Sequence, residues 1–285
     1  MLVSMLLHRK ARPMNSLFSR FKRLPEPSKT AAGWPKWTSE TAFATPNFHF
    51  ETQISDYTKK TTADVIQLLK PKSFLELYDS YIADARYVLE IGFFQGGMPL
   101  YISDMSTAEK IVAIDLSHVP EPISGIISAK GLQHRVSMHG GVNQSDVERV
   151  TAIIQDEFKE KSIDLIADDA SHLYEPTKRS FETCFSYLKP GGRYIIEDWG
   201  WSHWNKGDFL KGHKLFSEET TPLSQLILEI VLAQCAQGGV IAKIEIFNGS
   251  LIAITRGTAL KHGERLDLDS LVNGGRILDL RRRVD

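Results

Sequence analysis

The chain has 285 residues, 42% of them apolar and 24% charged, which fits one large globular domain or two small ones and excludes a disordered or fibrous protein. A formal net charge of −1 excludes a general electrostatic pull toward nucleic acid, and no apolar run approaches the roughly 18 residues of a membrane helix. Cys184 and Cys235 stand in apolar patterns with no metal or redox motif, so both read as buried thiols of a reducing compartment and predict a cytoplasmic protein.

Residues 1–40 form a basic N-terminal arm, with no acid before Glu26 and with Arg9, Lys10, Arg12, Arg20, Lys22 and Arg23. A transit-like peptide and an amphipathic surface segment share this composition, and either Met1 or Met14 can be the start. Proline and glycine mark residues 24–36 as linker. Residues 41–85 read as a helical lead-in, because TTADVIQLLK (61–70) and SFLELYDSYIAD (73–84) repeat apolar positions at helical spacing.

From residue 86 to 257 the pattern alternates. YVLEIG (87–92) is an apolar run of the kind a buried parallel strand needs, and FFQGGMPLYISDM turns into a helix. KIVAID (110–115) is a second strand, GIISAKGLQH a helix and RVSMHGG a third strand. DVERVTAIIQDEFKEK (146–161) is strongly periodic and helical, and IDLIADD (163–169) is the fourth strand. EPTKRSFETCFSYL is a helix with Glu175 and Pro176 in its first turn, KPGG breaks it, and RYIIED (193–198) is the fifth strand. PLSQLILEIVLAQCA is a long buried helix, and AKIEIFNGSLIAITRG is a hairpin around Asn-Gly. Residues 258–285 make a charged tail.

This order predicts an α/β fold: a doubly wound, Rossmann-like sheet of seven strands, mostly parallel, closed by a C-terminal antiparallel hairpin. It resembles the class I S-adenosylmethionine-dependent methyltransferases. In such sheets ligands collect at the carboxyl ends of the strands, where the polar clusters of this chain lie.

LEIGFFQGG supplies a strand-end acid and three glycines. Gly92 permits a tight turn, Gly96 and Gly97 permit close approach to the main chain, and Asp115 ends the next strand about 20 residues on, where a carboxylate takes ribose hydroxyls. The loop is not a clean G-x-G-x-x-G, which favours S-adenosylmethionine; a dinucleotide or a plain structural turn are the alternatives. The expected cofactor set is Glu90, Gly92, Gln95, Gly96, Asp115, Gln144 and Asp168. Gln144 and Ser145 can meet an adenine edge, although turn and cap chemistry accounts for Asn143, Ser145 and Asp146 equally well.

The reactive half lies in IADDASH and IIEDWGWSHW. If the fourth and fifth strands are neighbours, about 4.8 Å apart, Asp169 stands beside Glu197 and Asp198. Three such acids repel unless a cation sits among them, and oxygen donors suit Mg²⁺. Capping acids at strand ends are the plainer reading. Asp169 and His172 are the expected catalytic residues, with His172 as the base for a hydroxyl acidified by the metal, against the plainer role of a cap or surface histidine. Trp199, Trp201 and Trp204 are expected to wall a substrate pocket, or to form a lid that packs on the domain.

DDASH followed by LKPGGRYIIEDW and SHW is similar to the motif of Mg²⁺-dependent sugar O-methyltransferases that act on macrolide antibiotics, and LEIGFFQGG resembles that family and the related proteins labelled cephalosporin hydroxylases. The resemblance runs over roughly residues 75–205. It implies Asp169, Glu197 and Asp198 as metal ligands, His172 as base and Asp115 as the ribose acid. Ala170 stands where the family often has glycine, and the long accessory domain of the macrolide enzymes is not expected here.

The expected activity is S-adenosylmethionine-dependent, Mg²⁺-dependent O-methylation of a sugar or glycosylated natural product. The partner is a small hydroxyl-bearing acceptor, with no nucleic acid and no transmembrane segment, and self-association is compatible with the sequence. A catechol or other phenol is the alternative acceptor, and a non-catalytic adenosylmethionine-binding module the alternative role. An iron hydroxylase would need two histidines and a carboxylate, against which an all-carboxylate cluster argues.

Overall fold

The computed structural model describes residues 33–52, 58–203, 220–247 and 251–272. The basic arm before residue 33, Trp204, the expected Asn-Gly turn at 248–249 and the end of the charged tail lie outside these residues. The chain divides into two compact units, residues 1–142 and 143–285.

The first unit opens with β1 (Lys36–Trp37), β2 (Ala42–Ala44), β3 (His49–Glu51) and β4 (Ile66–Gln67), which form a small sheet in that order. The helix expected over residues 61–70 is not formed; β4 lies there, paired parallel to β3. Pro71 explains the difference, since it disfavours helical backbone at Lys70 and itself caps α1 (Lys72–Ile82). The alternating Phe48 and Phe50 were the overlooked strand signal; with Phe43 they are buried.

β5 (Tyr87–Ile91), α2 (Gly97–Met105), β6 (Lys110–Asp115), α3 (Glu121–Ala129) and β7 (Val136–Gly140) follow. The helix expected from Gly125 begins at Glu121, where Pro122 suits the first turn. The small sheet is fixed to α2. Tyr101 packs edge-on against Phe43 and Phe50 with centroids 5.8 and 5.9 Å away, and Asp104 accepts hydrogen bonds from the Asn47 main-chain N–H at 2.8 Å and its side-chain amide at 2.6 Å. This fixes the helix whose start carries the glycine loop.

The second unit contains α4 (Val147–Phe158), β8 (Ile163–Asp168), α5 (Tyr174–Cys184), β9 (Leu188–Glu197), α6 (Ser224–Ala236), β10 (Ile241–Phe247), β11 (Leu251–Arg256) and the short α7 (Leu268–Leu271). Asp146 caps α4 by accepting the Arg149 N–H at 3.0 Å. Lys178 of α5 reaches Asp269 of α7 at 2.6 Å and Glu229 of α6 at 3.2 Å, which joins three helices. Cys184 is buried as expected, whereas Cys235 is exposed, because α6 buries only one face, through Leu226, Ile227, Ile230 and Ala233.

The larger sheet has seven strands in the order β10-β11-β9-β8-β5-β6-β7. β5, β6 and β7 run parallel, as do β8 and β9, and β11 and β10 are antiparallel additions. This is the predicted Rossmann-like α/β arrangement. KPGG does not end an element; it forms a kink inside β9, where Ile163 pairs with Leu188 but Leu165 pairs with Arg193. Gly191 takes φ +82° there, and a side chain on Gly192 would meet the carbonyls of Lys189 and Asp164. Beyond the kink the register is regular and delivers Asp168 beside Ile196. Among the described residues, no helix is long and apolar enough to cross a membrane.

Candidate active site

The glycine loop follows β5. Gly92 has φ +96° and donates its N–H to the Ile114 carbonyl at 2.8 Å, so the expected tight turn is there. Phe94 also takes a positive φ, 47°, and its N–H donates to Asp115 Oδ2 at 2.8 Å; Ser117 N–H donates to Oδ1 at 2.7 Å. Asp115 thus pins the loop, and each oxygen keeps acceptor capacity for a further donor. Leu116 beside it is 66% exposed, a feature the sequence reading missed although a large apolar residue after a strand-end acid was visible.

Gln95 is buried; its side-chain oxygen accepts the Thr61 N–H at 3.1 Å and its carbonyl accepts the Thr61 hydroxyl at 2.9 Å. Glu90 is buried within β5. Gly96 faces Ile123, and Gly97 faces the Gln67 carbonyl, so both glycines make room for this chain's own atoms. Gly97→Ala would force a methyl onto that carbonyl; a loss of about 1–3 kcal/mol is expected, read as a lower urea midpoint at unchanged slope.

In the second unit, the β8–β9 register carried one residue on sets Asp169 beside Glu197, with Asp198 just beyond. The atoms that converge come from Asp169, His172 and Asp198, one ligand-type atom from each within 4.8 Å of the others, all half-buried. His172 Nε2 lies 3.7 Å from Asp169 Oδ1. Glu197, expected in the cluster, is buried at the end of β9 and is not one of the three. The group thus brings two of the three expected carboxylates together with the imidazole expected as base. His172 and Asp198 both adopt left-handed backbone, φ +54° and +52°, a costly conformation that His and Asp tolerate better than most residues. Burial pulls the His172 pKa down, but the carboxylates of Asp198, Asp169, Asp168 and Glu197 outweigh it, and the net shift is upward.

Asp168 and Gln144, expected at the cofactor, form an internal network. Asp168 Oδ2 accepts Ser180 Oγ–H at 2.6 Å and Tyr194 O–H at 2.7 Å, and Oδ1 accepts from the Gln144 amide at 3.4 Å. The Gln144 carbonyl oxygen accepts Ser171 N–H at 3.0 Å, which anchors the loop leading to His172. Burial raises the Asp168 pKa to about 6 despite the opposing hydrogen bonds. Ser145 N–H donates to Asn143 Oδ1 at 2.9 Å, the turn chemistry weighed above.

Of the tryptophans expected to wall a pocket, Trp199 is half-buried. Trp201 is buried, and its indole N–H donates to the His172 carbonyl at 2.8 Å. His203 shares a hydrogen bond with Ser224 Oγ at 2.8 Å.

Residues 89–199 match the family model described as a methyltransferase domain. A stretch of 72 residues is 28% identical to demethylmacrocin O-methyltransferase of Streptomyces fradiae, covering 22% of this chain and 18% of that protein. Another, of 79 residues, is 32% identical to L-olivosyl-oleandolide 3-O-methyltransferase of Streptomyces antibioticus, covering 28% and 20%. These matches therefore span about a fifth of the relatives' length. The structure of the mycinamycin-pathway methyltransferase MycE with Mg and SAH superposes with a TM-score of 0.46 at 22% identity, over 65% of this chain and 50% of that one. The chain carries a methyltransferase domain over residues 89–199 and is distantly similar to macrolide sugar O-methyltransferases.

Proposed function

We propose that the protein is an S-adenosylmethionine- and Mg²⁺-dependent O-methyltransferase acting on a hydroxyl of a sugar or glycosylated natural product. The observation that carries this reading is the convergence of Asp169, His172 and Asp198 at the carboxyl ends of β8 and β9. The two carboxylates suit a hard divalent ion and the imidazole stands beside them as a base, and the raised His172 pKa reflects the negative charge such an ion would offset.

Asp169 and Asp198 would hold the ion, with buried Glu197 adding its charge from behind. Asp115 would accept the ribose hydroxyls on the capacity left to its oxygens, and exposed Leu116 offers an apolar face for the adenine. When bound, the donor supplies an electrophilic methyl and the ion lowers the pKa of a nearby hydroxyl. His172 then takes the hydroxyl proton on its ring nitrogen, and Trp199 limits the access of water. The sugar acceptor rests on what the two Streptomyces relatives are named for.

The test is a screen of purified protein with adenosylmethionine against glycosides and phenols. With an accepted glycoside, EDTA is expected to abolish turnover and added Mg²⁺ to restore it. Full turnover in chelator would remove the metal role, and activity on phenols alone would replace the sugar acceptor.

A further inference from the structure

We propose that Trp201 is a positioning residue that locks His172 and Asp198 into their left-handed conformations, rather than a wall of the acceptor pocket; this rests on the proposed role of His172. Three observations combine. Trp201 is only 5% exposed, so little of its surface can face a substrate. Its indole N–H donates to the His172 carbonyl at 2.8 Å, and its main-chain N–H donates to the Asp198 carbonyl at 3.2 Å. The two residues it holds are two of the three that converge, and both take positive φ.

The logic is geometric. A residue at φ near +54° sits in the less favourable left-handed basin for a side chain with a Cβ, so an anchored carbonyl adds to what keeps it there. Holding the His172 carbonyl fixes where the loop delivers the imidazole, and the Gln144 bond to Ser171 N–H holds the same loop one residue earlier. Trp201 therefore brackets the loop after β8 and the turn after β9 with one residue.

Trp201→Phe keeps the ring and removes the donor. In wild type the His172 ring resonance, assigned by its loss in His172→Gln, is expected to be single, and sub-stoichiometric Mn²⁺ should broaden it. In Trp201→Phe it should split or exchange-broaden before metal is added. With an accepted glycoside, kcat should fall roughly tenfold while adenosylmethionine affinity by calorimetry stays unchanged. A single unshifted resonance, or an unchanged kcat, overturns the proposal. If His172→Gln itself turns over normally, the reading of His172 fails, whatever the bracket does. Should the variant not fold, hydrogen exchange decides in the wild type: a slowly exchanging Trp201 indole N–H supports the bracket, and a rapidly exchanging one overturns it.

Discussion

Replacing His172 by alanine is expected to lower methyl transfer by roughly 10²–10⁴-fold, the usual contribution of a positioned base, with adenosylmethionine affinity unchanged. Initial rates with an accepted glycoside measure it, and wild-type turnover in the variant would remove the base assignment. The pH dependence has a defined sign. A base must be neutral, and the surrounding carboxylates raise the His172 pKa, so they keep the ring protonated to higher pH in metal-free protein. A divalent cation among those carboxylates cancels their field and should move the His172 titration to lower pH, visible in its ring resonance with and without Mg²⁺. No movement would mean that the ion binds elsewhere.

The second large effect is expected at Asp168. Asp168→Ala strips the acceptor from Ser180, Tyr194 and Gln144, at about 1–3 kcal/mol for each buried group left unmet. Tyr194 and Ser180 can partly meet each other, being 3.3 Å apart, so about 3 kcal/mol in all is expected at pH 5. The loss should be smaller at pH 7.5. Burial raises the folded-state pKa to about 6, above the ordinary 3.8, so between roughly pH 4 and 6 the folded state binds more protons than the unfolded one. Wild-type stability from this group therefore falls as pH rises through that window, and the variant lacks the decline. Urea unfolding of both proteins at the two pH values measures it; an equal loss at both would show that the carboxyl is not perturbed.

Legibility in the sequence followed the physics. Buried parallel strands ending in acids are written in consecutive residues, so YVLEI, KIVAID and IDLIAD were found within a residue or two of their bounds. Asp169 and Asp198 could be brought together because parallel pairing fixes which strand ends are neighbours. That His172 would join the cluster while Glu197 stayed behind depends on two positive φ values, which no local composition reveals. Segment 61–70 carried apolar spacing compatible with a helix, but Pro71 and pairing with β3 decided against it. The hydrogen bonds that Gln95, Gln144 and Asp168 make within the protein were also hidden, since a polar residue near a strand end carries no local mark of its partners.

The kink at Pro190, Gly191 and Gly192 has a consequence for the arithmetic of the reaction centre. Successive side chains of a strand point to opposite faces, so the residue count from that kink to the end of β9 decides which face Glu197 takes, and where the left-handed turn at Asp198 begins. One residue fewer downstream of the kink would turn Glu197 to the opposite face of the sheet with the composition of the tip almost intact. The chemistry of this tip is thus set as much by a tally along ten residues of backbone as by the acids it displays.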